Sequence, residues 1–205
     1  MAGMMAAAIL SDTVMFKSPT CTDRDRKMAE RLARMADVSL DELGKAIFSG
    51  SLGNQTAREL LFTDYKEFHI AGHDLAVSQI TCMDSDRLLN RKEEFLEVMR
   101  TVRKNKHLDT VVLMITDVLL EGTQLLFVGD EEIIRQAFNI RELEANCAFL
   151  PKIMSRKKQV IPMLSDLKDI IIAVRGNCEA EVDQMVLPFP CMAEFCELLL
   201  DGKTF

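Results

Sequence analysis

Thr110-Val111-Val112-Leu113-Met114-Ile115 is an unbroken, β-branched-rich run with no charge in it. A strand with one wet face alternates polar and apolar residues, so this run predicts a strand covered on both faces at the centre of a sheet. Its neighbours extend the pattern. Phe68–Ile70 and Leu75–Ile80 read as two strands around a turn at Ala71-Gly72-His73-Asp74. Leu125–Val128 reads as a strand joined to the central run through Glu121-Gly122-Thr123, and Ala148–Met154 as a further strand. A long amphipathic helix opens at Asp84 or Ser85, with Leu88, Leu89, Phe95, Leu96, Met99 and Val102 as its apolar stripe, and Glu131–Phe138 is a shorter helix. Strands alternating with helices from residue 67 onward give an α/β domain with a mixed sheet.

The chain before residue 62 has a different texture. Residues 2–10 form an apolar stretch read as a buried helix. Thr22 caps a helix running to about Ala36, and Ser39 with Glu42 forms a capping box for a helix to about Phe48. Thr56 with Glu59 forms another, opening a helix that ends near Phe62, and Gly50-Ser51-Leu52-Gly53-Asn54 is the joint between them. The expected organisation is a helical piece at 1–62, a linker at 63–67 and an α/β domain at 68–205. In the tail, Ile170–Val174 is strand-like and residues 192–200 form an apolar helix.

Composition narrows the function. The net charge of −7 over 205 residues opposes nonspecific nucleic-acid binding, which needs a basic face. No stretch is long enough to cross a membrane. The opening MAGMMAAAIL has no Lys or Arg before Lys17, so it does not read as a secretory signal. Six cysteines without a CxxC pair and three histidines give no zinc spacing and suggest reduced thiols in a cytoplasmic protein.

Against that acidic background, Ser155-Arg156-Lys157-Lys158-Gln159 sets three cations side by side, with apolar residues before and after. Arg offers a planar fork and Lys a point charge, the chemistry of a phosphate pocket; a solvated edge strand protected by lysines is the competing reading. Asp12, at the end of the first helix, is a candidate ligand for a hard divalent cation, or a helix-end carboxylate bonded to Ser18, Thr20 or backbone amides. Lys66 lies in the linker, where clefts form, but beside two acids it also suits a surface ion pair. His73 in its turn suggests exposure; Asp117, after the central strand, suits either a ligand or a turn bond.

Five ordered motifs combine these residues. Ala8-Ile9-Leu10-Ser11-Asp12-Thr13 with Phe16-Lys17-Ser18-Pro19-Thr20-Cys21-Thr22 resembles the end of the DHH domain of family II, manganese-dependent inorganic pyrophosphatases. Asp64-Tyr65-Lys66-Glu67-Phe68 resembles their interdomain linker. Leu113–Leu119, Val128-Gly129-Asp130-Glu131 and Ser155–Pro162 resemble their DHHA2 domain, so the likeness spans residues 5 to about 168.

The resemblance implies hydrolysis of pyrophosphate to orthophosphate with Mn²⁺, Mg²⁺ or Co²⁺ substituting. It makes Asp12 a metal ligand and Lys66, Arg156 and Lys157 substrate-binding residues, with Lys158 and Gln159 in support because adjacent strand residues face opposite ways. The family's His/Asp/Asp group, further aspartate and histidine pair have no counterpart here. The resemblance therefore implies the C-terminal part of such an enzyme, which needs the N-terminal DHH portion as partner and is inactive alone. A homodimer is compatible with it. A DHH-superfamily phosphoesterase acting on short polyphosphate and a non-catalytic anion-binding module are the alternatives.

Overall fold

The computed structural model describes residues 1–49, 55–140, 143, 145–167, 172–173 and 185–186. Two compact units, Met1–Ser165 and Asp166–Phe205, divide the chain. The first opens with three helices: α1 (Ala2–Asp12), α2 (Asp23–Ala36) and α3 (Leu40–Ser49). The Thr22 hydroxyl accepts from the Asp25 amide while the Asp25 carboxylate accepts from Thr22, closing a full box at the head of α2. Ser39 accepts only from the Glu42 amide, half of the expected box. In α1 only Ala6 and Leu10 are buried, whereas Met4 is 76% exposed, so the apolar opening is a surface helix and not the buried one its composition suggests.

After α4 (Ala57–Thr63), capped by Thr56 and Glu59 as expected, the sheet begins. β1 (Tyr65–Ile70), β2 (His73–Cys82), β3 (Thr110–Asp117), β4 (Gly122–Gly129) and β5 (Cys147–Pro151) lie side by side in chain order. All neighbours are antiparallel except β2 and β3. That parallel pair needs a crossover, and α5 (Asp86–Leu89) and α6 (Lys92–Lys106) supply it. The single long helix expected here is broken because Arg91, at φ −104° and ψ 18°, leaves helical geometry. All of β3 is buried, as its composition predicts. The β1–β2 turn falls on Ala71 and Gly72 at φ 49° and 78°, the left-handed pair that a two-residue hairpin requires.

Period-two alternation sorts the sheet into two faces. Ala76, Ile80, Leu113, Ile115 and Leu126 form one core with Leu60 and Leu61 of α4 and Phe95, Leu96 and Met99 of α6. On the other face Gln79 bonds to Thr116, and Thr116 to Thr123, whose hydroxyl donates to the Ile153 carbonyl at 2.6 Å. At the end of β3, Asp117 is buried and structural: its carboxylate accepts from the amides of Ser85, Leu119 and Leu120. The turn-bond reading holds for it.

β5 ends at Pro151, earlier than the strand expected to reach Met154. The cationic run is a π-helical turn, Arg156–Val160, continuing into α8 (Ile161–Ser165) behind α7 (Glu131–Phe138). Both the edge-strand reading of this run and the strand alternation used to rank its residues are thereby corrected. The physical reason lies in Lys152, at φ 63°, which ends the strand, and in Ser155, whose hydroxyl accepts from the Lys158 amide and caps the turn. In the second unit β6 (Ile172–Ala173) pairs antiparallel with β7 (Met185–Val186), so part of the expected strand forms; the expected helix at 192–200 lies outside the described residues.

Gly129, at φ 130°, ends β4 against the β3 backbone, where a Cβ would sit 2.1 Å from the Asp109 carbonyl oxygen. Gly129→Ala should destabilise the chain by about 2 kcal/mol or more, read from urea unfolding. A change within error would mean that this crossing adjusts freely.

Candidate functional site

Arg156 stands at the head of the π-helical turn and is 7% exposed. Its Nη1 donates to the Asp64 carbonyl at 2.6 Å and to the Val77 carbonyl at 3.0 Å, and its Nη2 donates to Asp64 Oδ1 at 2.6 Å. The Arg156 amide donates to Gln79 Oε1. A desolvated cation must be paired and bonded in this way, because the alternative is an uncompensated buried charge. Gln159 secures the same segment from within. Its Oε1 accepts from the Met154 and Ser155 amides at 2.9 and 3.0 Å, and its Nε2 donates to the Lys152 carbonyl.

Lys66 sits in β1 directly opposite Val77. Cross-strand partners share a face, so Lys66, Val77 and Gln79 point to the side of the sheet on which the cationic turn lies. Lys66 and Lys157 are exposed, and neither ammonium has a partner among the described residues. Lys158 donates to the Pro19 carbonyl at 3.2 Å. The four cations therefore divide by chemistry: Arg156 is fixed, Lys158 is tethered, and Lys66 and Lys157 are free to turn toward an anion.

Pro19 belongs to the loop that follows Asp12, so Lys158 joins that loop to the cationic turn. Thr20 donates its hydroxyl to the Asp12 main-chain oxygen, but neither it nor Ser18 bonds the Asp12 carboxylate, which is exposed and unpartnered among the described residues. Lys17 anchors the loop to the end of the sheet, donating to the Val118 carbonyl at 2.7 Å with Glu121 Oε1 3.4 Å away. Val14, Phe48, Val118 and Met154 form an apolar cluster beneath it. Among the described residues no group of three or more His, Cys, Asp or Glu gathers around Asp12 or elsewhere. His73 is half-buried, 3.7 Å from Asp109 at the far end of the β1–β2 hairpin, away from this arrangement.

The DHHA2 domain model matches residues 41–167. The chain belongs to the DHHA2 domain family. A Methanocaldococcus jannaschii protein named manganese-dependent inorganic pyrophosphatase is 38% identical over 167 residues, which cover 80% of this chain and 54% of the relative. A Methanothrix thermoacetophila protein of the same name is 42% identical over 169 residues, again 80% and 54%. A Clostridium perfringens protein named cobalt-dependent inorganic pyrophosphatase is 38% identical over 81% of this chain and 31% of its own length. A solved Methanococcus jannaschii chain described as a family II inorganic pyrophosphatase superposes with a TM-score of 0.72 at 38% identity, covering 80% of this chain and 54% of that one. The DHHA2 chain spans about half the length of the first two relatives.

Asp64 and Gln79, which fix Arg156, escaped sequence reasoning. Asp64 carried one signal, its place beside Lys66 in the linker motif. Gln79 carried a better one, a long polar side chain that follows Ser78 in a strand, Leu75–Ile80, whose other residues are apolar.

Hydrogen bonds from Lys152 and then Lys17 hold the Glu121 carboxyl below its ordinary value of 4.5. A depressed carboxylate stabilises above its unfolded value and loses that contribution as pH falls through the folded one. Below about pH 4.5 the 13–20 loop should therefore exchange its amides faster than intrinsic chemistry predicts. Glu121→Gln should abolish the extra acid sensitivity; identical profiles would remove this contact from the loop's anchoring.

Proposed function

We propose that this DHHA2 chain is the pyrophosphate-gripping portion of a manganese-dependent inorganic pyrophosphatase, an enzyme hydrolysing pyrophosphate to orthophosphate. The observation that carries the reading is the ordered cationic turn: Arg156 locked to the linker, with Lys66 and Lys157, unpaired among the described residues, beside the same stretch of sheet. Phosphoryl transfer is promoted chiefly by positioning and by neutralising charge on phosphoryl oxygens. An exposed ammonium can reorient toward an oxyanion, whereas a planar guanidinium fixes the direction of approach. Substrate contacts accordingly go to Lys66, Arg156 and Lys157. Lys158 and Gln159 hold the turn.

The described residues do not by themselves fit a manganese ion. Asp12 is a single carboxylate, and a hard divalent cation takes several oxygen ligands. Asp12 is proposed as the one donor this chain adds to a metal site completed by a DHH portion, and no catalytic step through the metal follows from these residues. Names of relatives support manganese, with cobalt as a substitute.

Pyrophosphate binding and phosphate release, each with and without Mn²⁺, test the reading on this chain. The expected result is metal-independent binding with little turnover, weakened about tenfold by Lys157→Ala through loss of one charge-assisted contact. Equal affinity in the wild type, Lys157→Ala and Arg156→Ala would overturn the clamp. Rapid Mn²⁺-dependent turnover would overturn the incomplete metal site, and preference for tripolyphosphate would favour a polyphosphate substrate.

A further inference from the structure

We propose that Asp64 is a positioning residue of the clamp, holding the Arg156 guanidinium so that one edge of its plane remains available to a phosphate. The inference rests on the clamp reading above and assigns a role to a linker residue that touches no substrate itself.

A guanidinium carries five N–H donors in a rigid plane. Nη1 uses its two on the carbonyls of Asp64 and Val77, and Nη2 uses one on Asp64 Oδ1. The main-chain oxygen and one carboxylate oxygen of Asp64 therefore meet the end of the fork. What remains is Nε–H and the second Nη2–H, side by side along the adjoining edge, and neither has an acceptor among the described residues. Two parallel donors on one edge make a bidentate grip on phosphate oxygens.

Asp64 is itself fixed before any ligand arrives. Its carbonyl accepts from the Gln79 amide at 3.1 Å as well as from Arg156, and it closes the C-terminus of α4. The Arg156 side chain is 8% exposed and that of Asp64 46%. The carboxylate thus forms the solvent-side wall of the guanidinium's slot. Without it, two carbonyls would be left to hold a buried cation, and a long side chain would turn its head toward water. Immobilising a rotamer-rich side chain otherwise adds a cost to binding, and a prearranged one avoids it. Asp64 also sets a negative charge near an anion site, an effect of opposite sign. The balance between these two is what the experiment decides.

The experiment combines calorimetric titration of pyrophosphate into the chain with ¹⁵N spectra of the arginine side chains. Asp64→Asn preserves shape and main-chain bonds; it should weaken pyrophosphate binding about fivefold and average the separate Arg156 Nη signals through faster rotation. Asp64→Glu should recover part of both. In the wild type, pyrophosphate should shift the Arg156 Nε and Nη2 signals and leave Nη1 in place, a readout that survives even if a variant folds poorly. Tighter binding by Asp64→Asn, or displacement of Nη1 by pyrophosphate, would show that Asp64 competes with the ligand and would overturn the proposal. So would unchanged affinity in Asp64→Asn where Arg156→Ala loses it, and in that case the clamp stands without Asp64. Absence of wild-type binding, or wild-type affinity in Arg156→Ala, overturns the clamp and with it the role of Asp64.

Discussion

A buried guanidinium cannot tolerate a misplaced neighbour. Arg156 takes acceptors from the end of α4 and the middle of β2 while its own amide is held by Gln79. Those residues are far apart in sequence, so the pairing forms only when the β1–β2 register, the end of α4 and the π-helical turn are all correct. Replacing such a pair with apolar groups often costs little stability, whereas removing one partner costs much. The interaction therefore says more about arrangement than about net stabilisation, and what it arranges is the only stretch of the chain with three consecutive cations.

The acid composition gives this arrangement its contrast. With a net charge of −7, most of the surface repels a polyanion. Lys106 is paired with Glu67, Lys152 with Glu121 and Arg135 with Glu131. Lys66 and Lys157 are unpaired among the described residues, as are other surface lysines such as Lys45 and Lys104; what sets the first two apart is their place near the buried Arg156, one in β1 and one in the turn held against β2. On the proposed reading, Arg156, Lys66 and Lys157 offer a small, highly charged anion three cations in one place, whereas an extended nucleic acid spreads its charge over many phosphates.

Sequence made the sheet legible because its signals are local and redundant. Thr110–Ile115 could be little other than a buried strand, and the Thr22 and Thr56 boxes mark helix starts by their own side chains. The cationic turn was misread as strand because apolar residues flank it on both sides and the π-helical geometry depends on a Ser155 cap and on Gln159 folding back onto residues 152–155. The candidate residues can be named through motifs, but which of them are locked and which are unpaired cannot. Whether Arg156 is solvated or locked depends on Asp64, 92 positions away, and no periodicity reports a contact of that kind. The apolar first helix misled for a related reason: composition suggests burial, but only partners decide it, and Met4 and Met5 have few.

The loop after Asp12 shows the same dependence on distant partners at higher strain. Val14, Met15 and Phe16 all hold positive φ, at 48°, 51° and 65°, a conformation that costs a non-glycine residue about 1 kcal/mol or more. Such a run persists only when its surroundings over-determine it. Here the Thr13 hydroxyl accepts from the Phe16 amide, Arg26 donates to the Phe16 carbonyl, and Val14 is buried against Val118 and Met154. Met15 lies over Gly44, where a Cβ would stand 2.6 Å from its side chain, so that glycine provides the space the turn needs. Lys17 and Lys158 then fasten the loop to the sheet end and to the cationic turn. The exposed Asp12 carboxylate, on the last residue of α1, thus adjoins a strained, well-braced loop that is tied to the cationic turn. On the proposed reading, in which Asp12 donates to a metal and the cationic turn meets the substrate, this bracing matters because both contacts depend on a geometry that neither residue can set alone.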